Sequence, residues 1–274
     1  MLCFLPIFII GFAEDLSGQI NIISRLIPSI FSAILLVIIF KTTVNKVDFF
    51  YLNQILSIPL FAFTFTILGL VGTSNGLNFI DGINGLASGI SIVILFTLSQ
   101  ISHQIGFYDL ATFLIIVSIC VLSFWILNLT FGNIFLGDGG SYFLGMLIAW
   151  AGIQITSFND KVSAWSIFFL IIYIATELTV SVTRRIYLRT SPFNADNLHL
   201  HSLLYQYLKL KYPKKKKVLN SLSGIILTIF GSLPSIILLI FDVDFQTIML
   251  LIILFVFSFI LVYLYLIKIL KNYS

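Results

Sequence analysis

Charge is scarce in this chain. Only 9% of its 274 residues are Asp, Glu, Lys or Arg, where a water-soluble domain carries about a quarter. That shortage excludes an ordinary soluble fold, because 59% hydrophobic residues at a mean hydropathy of +1.10 leave more apolar surface than an aqueous core can hide. Cysteine is nearly absent as well. Cys3 and Cys120 stand in apolar runs without paired or metal-ligand spacing, which leaves them as small core residues. Histidine occurs three times, and with no cysteine near the pair at His199 and His201 a zinc site is not completed. The start, MLCFLPIFIIGFAED, has no basic residue and so lacks the pattern of a secretory signal. No soluble domain is available to present a nucleic-acid surface, so nucleic acid is excluded as a partner.

What the chain has instead is long apolar runs, near 25–40, 52–71, 84–102, 110–129, 141–157, 162–182, 218–241 and 245–267. Each approaches the about 20 residues that cross a bilayer. The expected fold is therefore all-α, a polytopic transmembrane bundle of eight spans, with 1–274 as a single transmembrane domain. Pro28 is expected in the opening turn of the first span. Met1 to Ile10 is apolar but covers only about half a bilayer at about 1.5 Å per residue, so it is expected to be the end of a longer helix that begins upstream.

Basic residues favour the cytoplasmic side of short loops. With 11–24 inside, the alternation puts Arg25, Arg184, Arg185, Arg189, Lys209, Lys211, Lys214 to Lys217, Lys268 and Lys271 inside, and Lys41, Lys46 and Lys161 outside. The longest inner loop, 183–217, carries both His199 and His201. The same alternation puts Glu14, Asp15, Asp81, Asp138 and Asp196 inside, among glycines and asparagines against apolar helices. Charge in such a setting is costly unless it is paired or used. The outer acids stand singly in short polar turns, as solvated loop charge does.

Four inner segments carry the chemistry. Glu14 and Asp15 end an apolar run, and adjacent carboxylates suit a divalent cation such as magnesium, although simple helix-end solvation explains them equally. Asn75, Asn78, Asp81 and Asn84 fall in a glycine-rich stretch expected to interrupt two spans, and a helix beginning there would put Asp81 and Asn84 on one face near its positive end. Gly137-Asp138-Gly139-Gly140-Ser141 precedes another span, with Ser141 as the expected helix cap. His199 and His201 are two apart, so they act together only if the backbone there is not regular helix. Glu177, near the inner end of a span about two turns before Arg184, is expected to form an ion pair within its helix or with a neighbouring one. The Lys214 to Lys217 run is expected to attract anionic lipid and to enforce topology.

Together these segments resemble the bacterial polyprenyl-phosphate N-acetylhexosamine-1-phosphate transferase family, of glycosyltransferase family 4. The family's aspartate pair is matched by Glu14 and Asp15, and its N-x-x-N-x-x-D-G segment by Asn75, Asn78, Asp81 and Gly82. Its G-D-x-G-S segment, with an asparagine ten residues before the aspartate, is matched by Asn128, Gly137, Asp138, Gly140 and Ser141. Its H-x-H-H segment after S-P-F and an aspartate is matched by Pro192, Phe193, Asp196, His199 and His201. Glu14 stands where the family has Asp, Asn84 where many members have an acid, and Ser202 where the third histidine falls.

The resemblance implies transfer of an N-acetylhexosamine 1-phosphate from a UDP-sugar, UDP-N-acetylglucosamine first, to undecaprenyl phosphate, releasing UMP at the cytoplasmic face of the bacterial inner membrane. The pathway implied is lipid-linked cell-envelope glycan synthesis, as for an O-antigen. Mg2+, with Mn2+ as a substitute, would be held by Asp138, Asp15 and Glu14. Catalytic roles would fall to Asp15, Asp81, Asp138, His199 and His201, and substrate contacts to Asn75, Asn78, Asn84, Asn128 and Arg189. A cytoplasmic cleft opening to membrane lipid would admit the polyprenyl chain, and a homodimer is allowed. The chain begins about where the family's third span would end, so about two upstream helices are expected to be missing. Two rival readings stay open: an inactive truncated member, and a secondary transporter, whose ion sites would lie near the midplane.

Overall fold

The computed structural model describes residues 2–132, 134–189, 198–213 and 216–273. After a short 3-10 turn, Leu2–Phe4, the described residues form twelve helices: α1 (Leu5–Ser17), α2 (Ile22–Phe40), α3 (Phe50–Leu56), α4 (Pro59–Ile80), α5 (Leu86–Gln104), α6 (Tyr108–Phe131), α7 (Gly137–Phe158), α8 (Ala164–Leu170), α9 (Ile172–Tyr187), α10 (Leu200–Lys211), α11 (Lys216–Ile240) and α12 (Phe245–Tyr273). Seven of these, α2, α4, α5, α6, α7, α11 and α12, are long and apolar enough to cross a membrane, and α8 with α9 forms an eighth candidate, broken by a 70° bend. The chain is an all-α, multi-pass membrane bundle.

Burial is arranged for a lipid solvent. In α5 and α7, 67% and 61% of the spanning window is buried inside the protein, against 28% in α2, 28% in α6 and 22% in α12. The bundle is therefore centred on α5 and α7. The outer helices turn large apolar side chains such as Ile38, Leu127 and Leu254 outward, where water would make them an aggregation surface and lipid makes them the ordinary exterior. Cys3 is buried as expected, but Cys120 is exposed on the outward face of α6, so only one of the two cysteines is a core residue.

Three boundaries differ from the sequence expectation, for identifiable reasons. The run 52–71 is not one helix. Pro59 has no N–H to give and pushes Ile58 into extended backbone, so α3 stops at Leu56 and a new helix opens with Pro59 in its first turn. The new helix, α4, continues to Ile80, carrying Asn75 and Asn78 inside a helix rather than in a loop. Likewise α2 begins at Ile22, where Asn21 Oδ1 accepts from Ser24 N–H at 2.8 Å. That cap lets the helix form ahead of Pro28, which lies inside it rather than in its opening turn, and it puts Arg25 in the first turns of α2.

Candidate active site

Close backbone crossings build the site. Gly11 of α1 meets Gly139 of α7 so closely that a Cβ on Gly11 would lie 2.6 Å from Gly139 Cα. One turn beyond Gly11 comes Asp15, which this contact delivers to the start of α7. There Asp15 Oδ1 accepts from Asp138 N–H at 2.8 Å and Oδ2 from Gly139 N–H at 3.0 Å. On the other side, α4 crosses α7 at Gly145, where a Cβ would come within 2.7 Å of Ser74 Cα, and Ser74 Oγ donates to Tyr142 O at 2.8 Å. One turn beyond Ser74, Asn78 Nδ2 donates to Asp138 Oδ1 at 2.8 Å and to Ser141 Oγ at 2.9 Å.

Asp81 closes the ring. It sits at the C-terminal end of α4, not at the start of α5, and its Oδ2 accepts from Gly137 N–H at 2.9 Å. The positive helix end it serves is thus that of α7 rather than of a helix beginning at its own segment. Two carboxylates from α1 and α4 therefore take up three amide donors that the first turn of α7 leaves without helical partners. Ser141, the expected cap, instead donates back to Gly137 O at 2.7 Å from inside the helix.

Arg25 was counted in the sequence only for orientation. Its Nη1 lies 2.9 Å from Asp138 Oδ2 and 3.7 Å from Glu14 Oε1, which ties the first and third motifs together. The signal that could have found it is a lone arginine in the opening turns of an otherwise apolar span. Glu14 Oε2 also accepts from Ile20 N–H at 2.7 Å.

The histidines pack behind Asp81. His199 is the extended residue before α10 and His201 lies in its first turn, so the segment is half out of helix, and the two rings stack at 5.4 Å and 5°. Gly82, next to Asp81, has no side chain because the ring of His201 occupies that space: a Cβ there would lie 2.2 Å from Nε2. Glu177, expected to pair within its helix or with a neighbouring one, reaches across from α9 to the residue before α10, with Oε1 2.9 Å from His199 Nδ1 and accepting from Leu200 N–H at 3.1 Å. Its signal in the sequence was being the one carboxylate inside a span. Arg184 Nη1 donates to Leu198 O at 2.7 Å and to the Tyr263 hydroxyl.

Other predicted residues are spent elsewhere. Asn75 Nδ2 donates to Val71 O of its own helix at 2.8 Å. Asn84 N–H donates to Asn220 Oδ1 at 2.7 Å and its Nδ2 to Ser221 Oγ at 3.1 Å, fastening the loop to α11. Asn128 Nδ2 donates to Ile134 O. Arg189 stands exposed past the end of α9 with φ 53°, and among the described residues no hydrogen bond or ion pair joins it to the cluster. Pro192, Phe193, Asp196, Lys214 and Lys215 lie outside the described residues.

Electrostatics follow from this packing. Asp81 keeps some exposed surface but is hemmed in by protein. That desolvation pushes its carboxyl up to about 7; the Gly137 N–H pulls it back, and the charges of Asp138 and Asp15 add to the rise. Burial, with His199 alongside, lowers His201 to about 3, so it is neutral at physiological pH. Among the described residues no three His, Cys, Asp or Glu side chains group as a metal cage. Four carboxylates nevertheless gather at the start of α7, two of them, Glu14 and Asp138, against Arg25, an excess of negative charge. An apolar cavity of about 230 Å3 between α4, α7 and α8 is lined by no titratable side chain and takes no part.

A family model for Glycosyl transferase family 4 matches residues 1–156, more than half of the chain and three of the four motifs. The chain belongs to glycosyl transferase family 4. Among its relatives, the probable undecaprenyl-phosphate N-acetylglucosaminyl 1-phosphate transferase of Bacillus subtilis is 29% identical over 73% of this chain and 56% of its own length. A phospho-N-acetylmuramoyl-pentapeptide-transferase of Staphylococcus carnosus is 30% identical over 59% of this chain and 50% of its own. The undecaprenyl-phosphate alpha-N-acetylglucosaminyl 1-phosphate transferase of Yersinia pestis is 26% identical over 53% of this chain and 41% of its own. This family 4 member thus spans about half the length of the curated relatives it matches.

Proposed function

We propose that the protein transfers an N-acetylhexosamine 1-phosphate, N-acetylglucosamine first, from a UDP-sugar to undecaprenyl phosphate, releasing UMP. The observation that carries this reading is the meeting of Glu14, Asp15, Asn78, Asp81 and Asp138, from three separate motifs, around Arg25 and the first turn of α7. The names of the relatives, each a transferase of a phosphorylated sugar, support the same class.

Both substrates are anionic, and four carboxylates against one arginine would repel them. A cation resolves this. Magnesium takes one or two protein carboxylates and completes its shell with waters and phosphates, which fits a site without a three-ligand cage. Asp138 and Glu14, already drawn together by Arg25, would hold Mg2+, or Mn2+ in its place, and the ion would neutralise the diphosphate. Asp15 fixes the end of α7 from which Asp138 projects. Asn78 sets the Asp138 rotamer.

In the transfer, an oxygen of the lipid phosphate attacks the sugar-bearing phosphorus, that phosphorus parts from the bridging oxygen, and the electron pair leaves with UMP. Asp81, poised near neutral pH, orients the lipid phosphate and accepts its proton where one is present. His199, oriented by Glu177, and neutral His201 hold the Asp81-Gly82 turn and contact phosphate at its edge. The basic residues gathered at this end of the bundle support a cytoplasmic-facing site in the bacterial inner membrane. A transporter would keep its ion site near the middle of the spans, whereas these groups lie at helix ends.

Proteoliposomes supplied with undecaprenyl phosphate and labelled UDP-N-acetylglucosamine or UDP-N-acetylgalactosamine test the proposal. The expected result is label passing into the lipid phase from one donor with matching release of UMP. No transfer from either donor, with the protein folded and Mg2+ present, overturns it.

A further inference from the structure

Asp138 and Glu14 each have one oxygen engaged by a neutral amide and one that is not. Asp138 Oδ1 accepts from Asn78 Nδ2 at 2.8 Å, and Glu14 Oε2 accepts from Ile20 N–H at 2.7 Å. The other two oxygens, Asp138 Oδ2 and Glu14 Oε1, converge on a single atom, Arg25 Nη1, at 2.9 and 3.7 Å. One positive nitrogen thus fills the position toward which carboxylates from α7 and α1 both turn. Without a cation there, the two oxygens would meet as like charges, so the pair is built around one. Neither amide contact involves the arginine, so both carboxylates keep their places when it leaves.

The arginine is not firmly seated. It meets both acids through Nη1, while its Nε is buried with no partner among the described residues. It therefore does not use the fork of Nε and Nη with which a guanidinium can grip a carboxylate most strongly, and the unpaired buried donor counts against the seat. Arg25 also lies at the start of α2, where positive charge is set against the helix dipole. The side chains are 23% exposed for Arg25, 22% for Asp138 and 17% for Glu14, so water and small ions reach the group.

We propose that Arg25 is the resting occupant of the cation position between Asp138 and Glu14, that a divalent ion displaces it, and that the freed guanidinium then pairs with the diphosphate of the donor. The proposal rests on the reading of those two carboxylates as the ligands of the ion. An ion entering alone deprives the guanidinium of its carboxylates, whereas an ion entering with a diphosphate brings their replacement, so each favours the binding of the other.

Mn2+ binding to the purified full chain in lipid nanodiscs, read by electron paramagnetic resonance with no nucleotide present, tests the exchange. Arg25→Gln should bind Mn2+ at least about tenfold more tightly than the wild type, the ratio expected if the arginine leaves its seat open about a tenth of the time. Asp138→Asn should abolish the binding in both backgrounds. Affinity no higher in folded Arg25→Gln than in the wild type overturns the proposal, and so does binding that survives Asp138→Asn. The wild type supplies a second measurement that needs no variant to fold. Modification of Arg25 by phenylglyoxal, followed by mass spectrometry, should rise when millimolar Mg2+ is added and fall again when UDP joins it. A rate that Mg2+ leaves unchanged overturns the exchange, and a raised rate that UDP does not lower overturns the pairing with diphosphate. Exchange without transfer from any UDP-sugar would sink the transferase reading and leave this one standing; transfer without exchange would do the reverse.

Discussion

Asp15 has both carboxylate oxygens on amides of α7, so its replacements should separate charge from shape. Asp15→Ala removes the cap and should cost about 1–2 kcal/mol of stability, visible as a lower melting temperature in detergent. Asp15→Asn keeps one acceptor and should lose less stability than Asp15→Ala. Equal melting of the two variants would contradict the capping role. Asp81 and His201 give opposite pH dependence. The folded value of Asp81, about 7, lies above its ordinary 3.8, so its contribution to stability is whole below pH 3.8 and is lost as pH rises through 7. His201, lowered from 6.5 to about 3, contributes stability above pH 6.5 that is lost as pH falls toward 3. Asp81→Asn should therefore melt above the wild type near about pH 8 and approach it near about pH 4. A difference that stays constant with pH would show that Asp81 is not desolvated. At this scale the carboxylates and the histidine pair were legible because charge and histidine are rare in so apolar a chain, and Asn78 because it stands among glycines and asparagines three residues before Asp81. Arg25 and Glu177 were not, because a single charge in a span reads as well as a topology signal or a local ion pair until its partner, far along the chain, is known.

Between elements, the crossing of α1 and α7 sets the separation of Asp15 and Asp138. A methyl at Gly11 would sit 2.6 Å from Gly139 Cα, and backbone cannot yield as a side chain can. Gly11→Ala should cost about 1–3 kcal/mol and lower transfer activity by parting the two helices. Gly69→Ala, where a methyl meets nothing within 4 Å, should leave both melting and activity unchanged. Equal effects would show that the crossing is not tight. Helix existence was legible from apolar length, but boundaries were read from composition alone. The glycine- and asparagine-rich end of α4 looked like a loop, yet it is helix because Ser74 and Asn78 find partners on α7. The bend after α8 has no proline or glycine to announce it.

Across the whole molecule, the sequence's excess of apolar residues becomes outward-facing surface on α2, α6 and α12, and Glu14, Asp15, Asp81 and Asp138 collect at the start of α7. The apolar spans and the alternation of basic residues made that polarity legible, since both depend only on the bilayer as solvent. Which acids meet was not readable from spacing, because it depends on where α1 and α4 cross α7. The claim on which the rest stands is that Asp138, held between Arg25 and Asn78, is a working carboxylate of a phospho-sugar transfer centre. UMP release by purified wild type and Asp138→Asn, compared in the same bilayer with Mg2+, tests it most directly. The account predicts a fall of at least about 100-fold with little change in melting temperature. Wild-type turnover by the folded variant would contradict it.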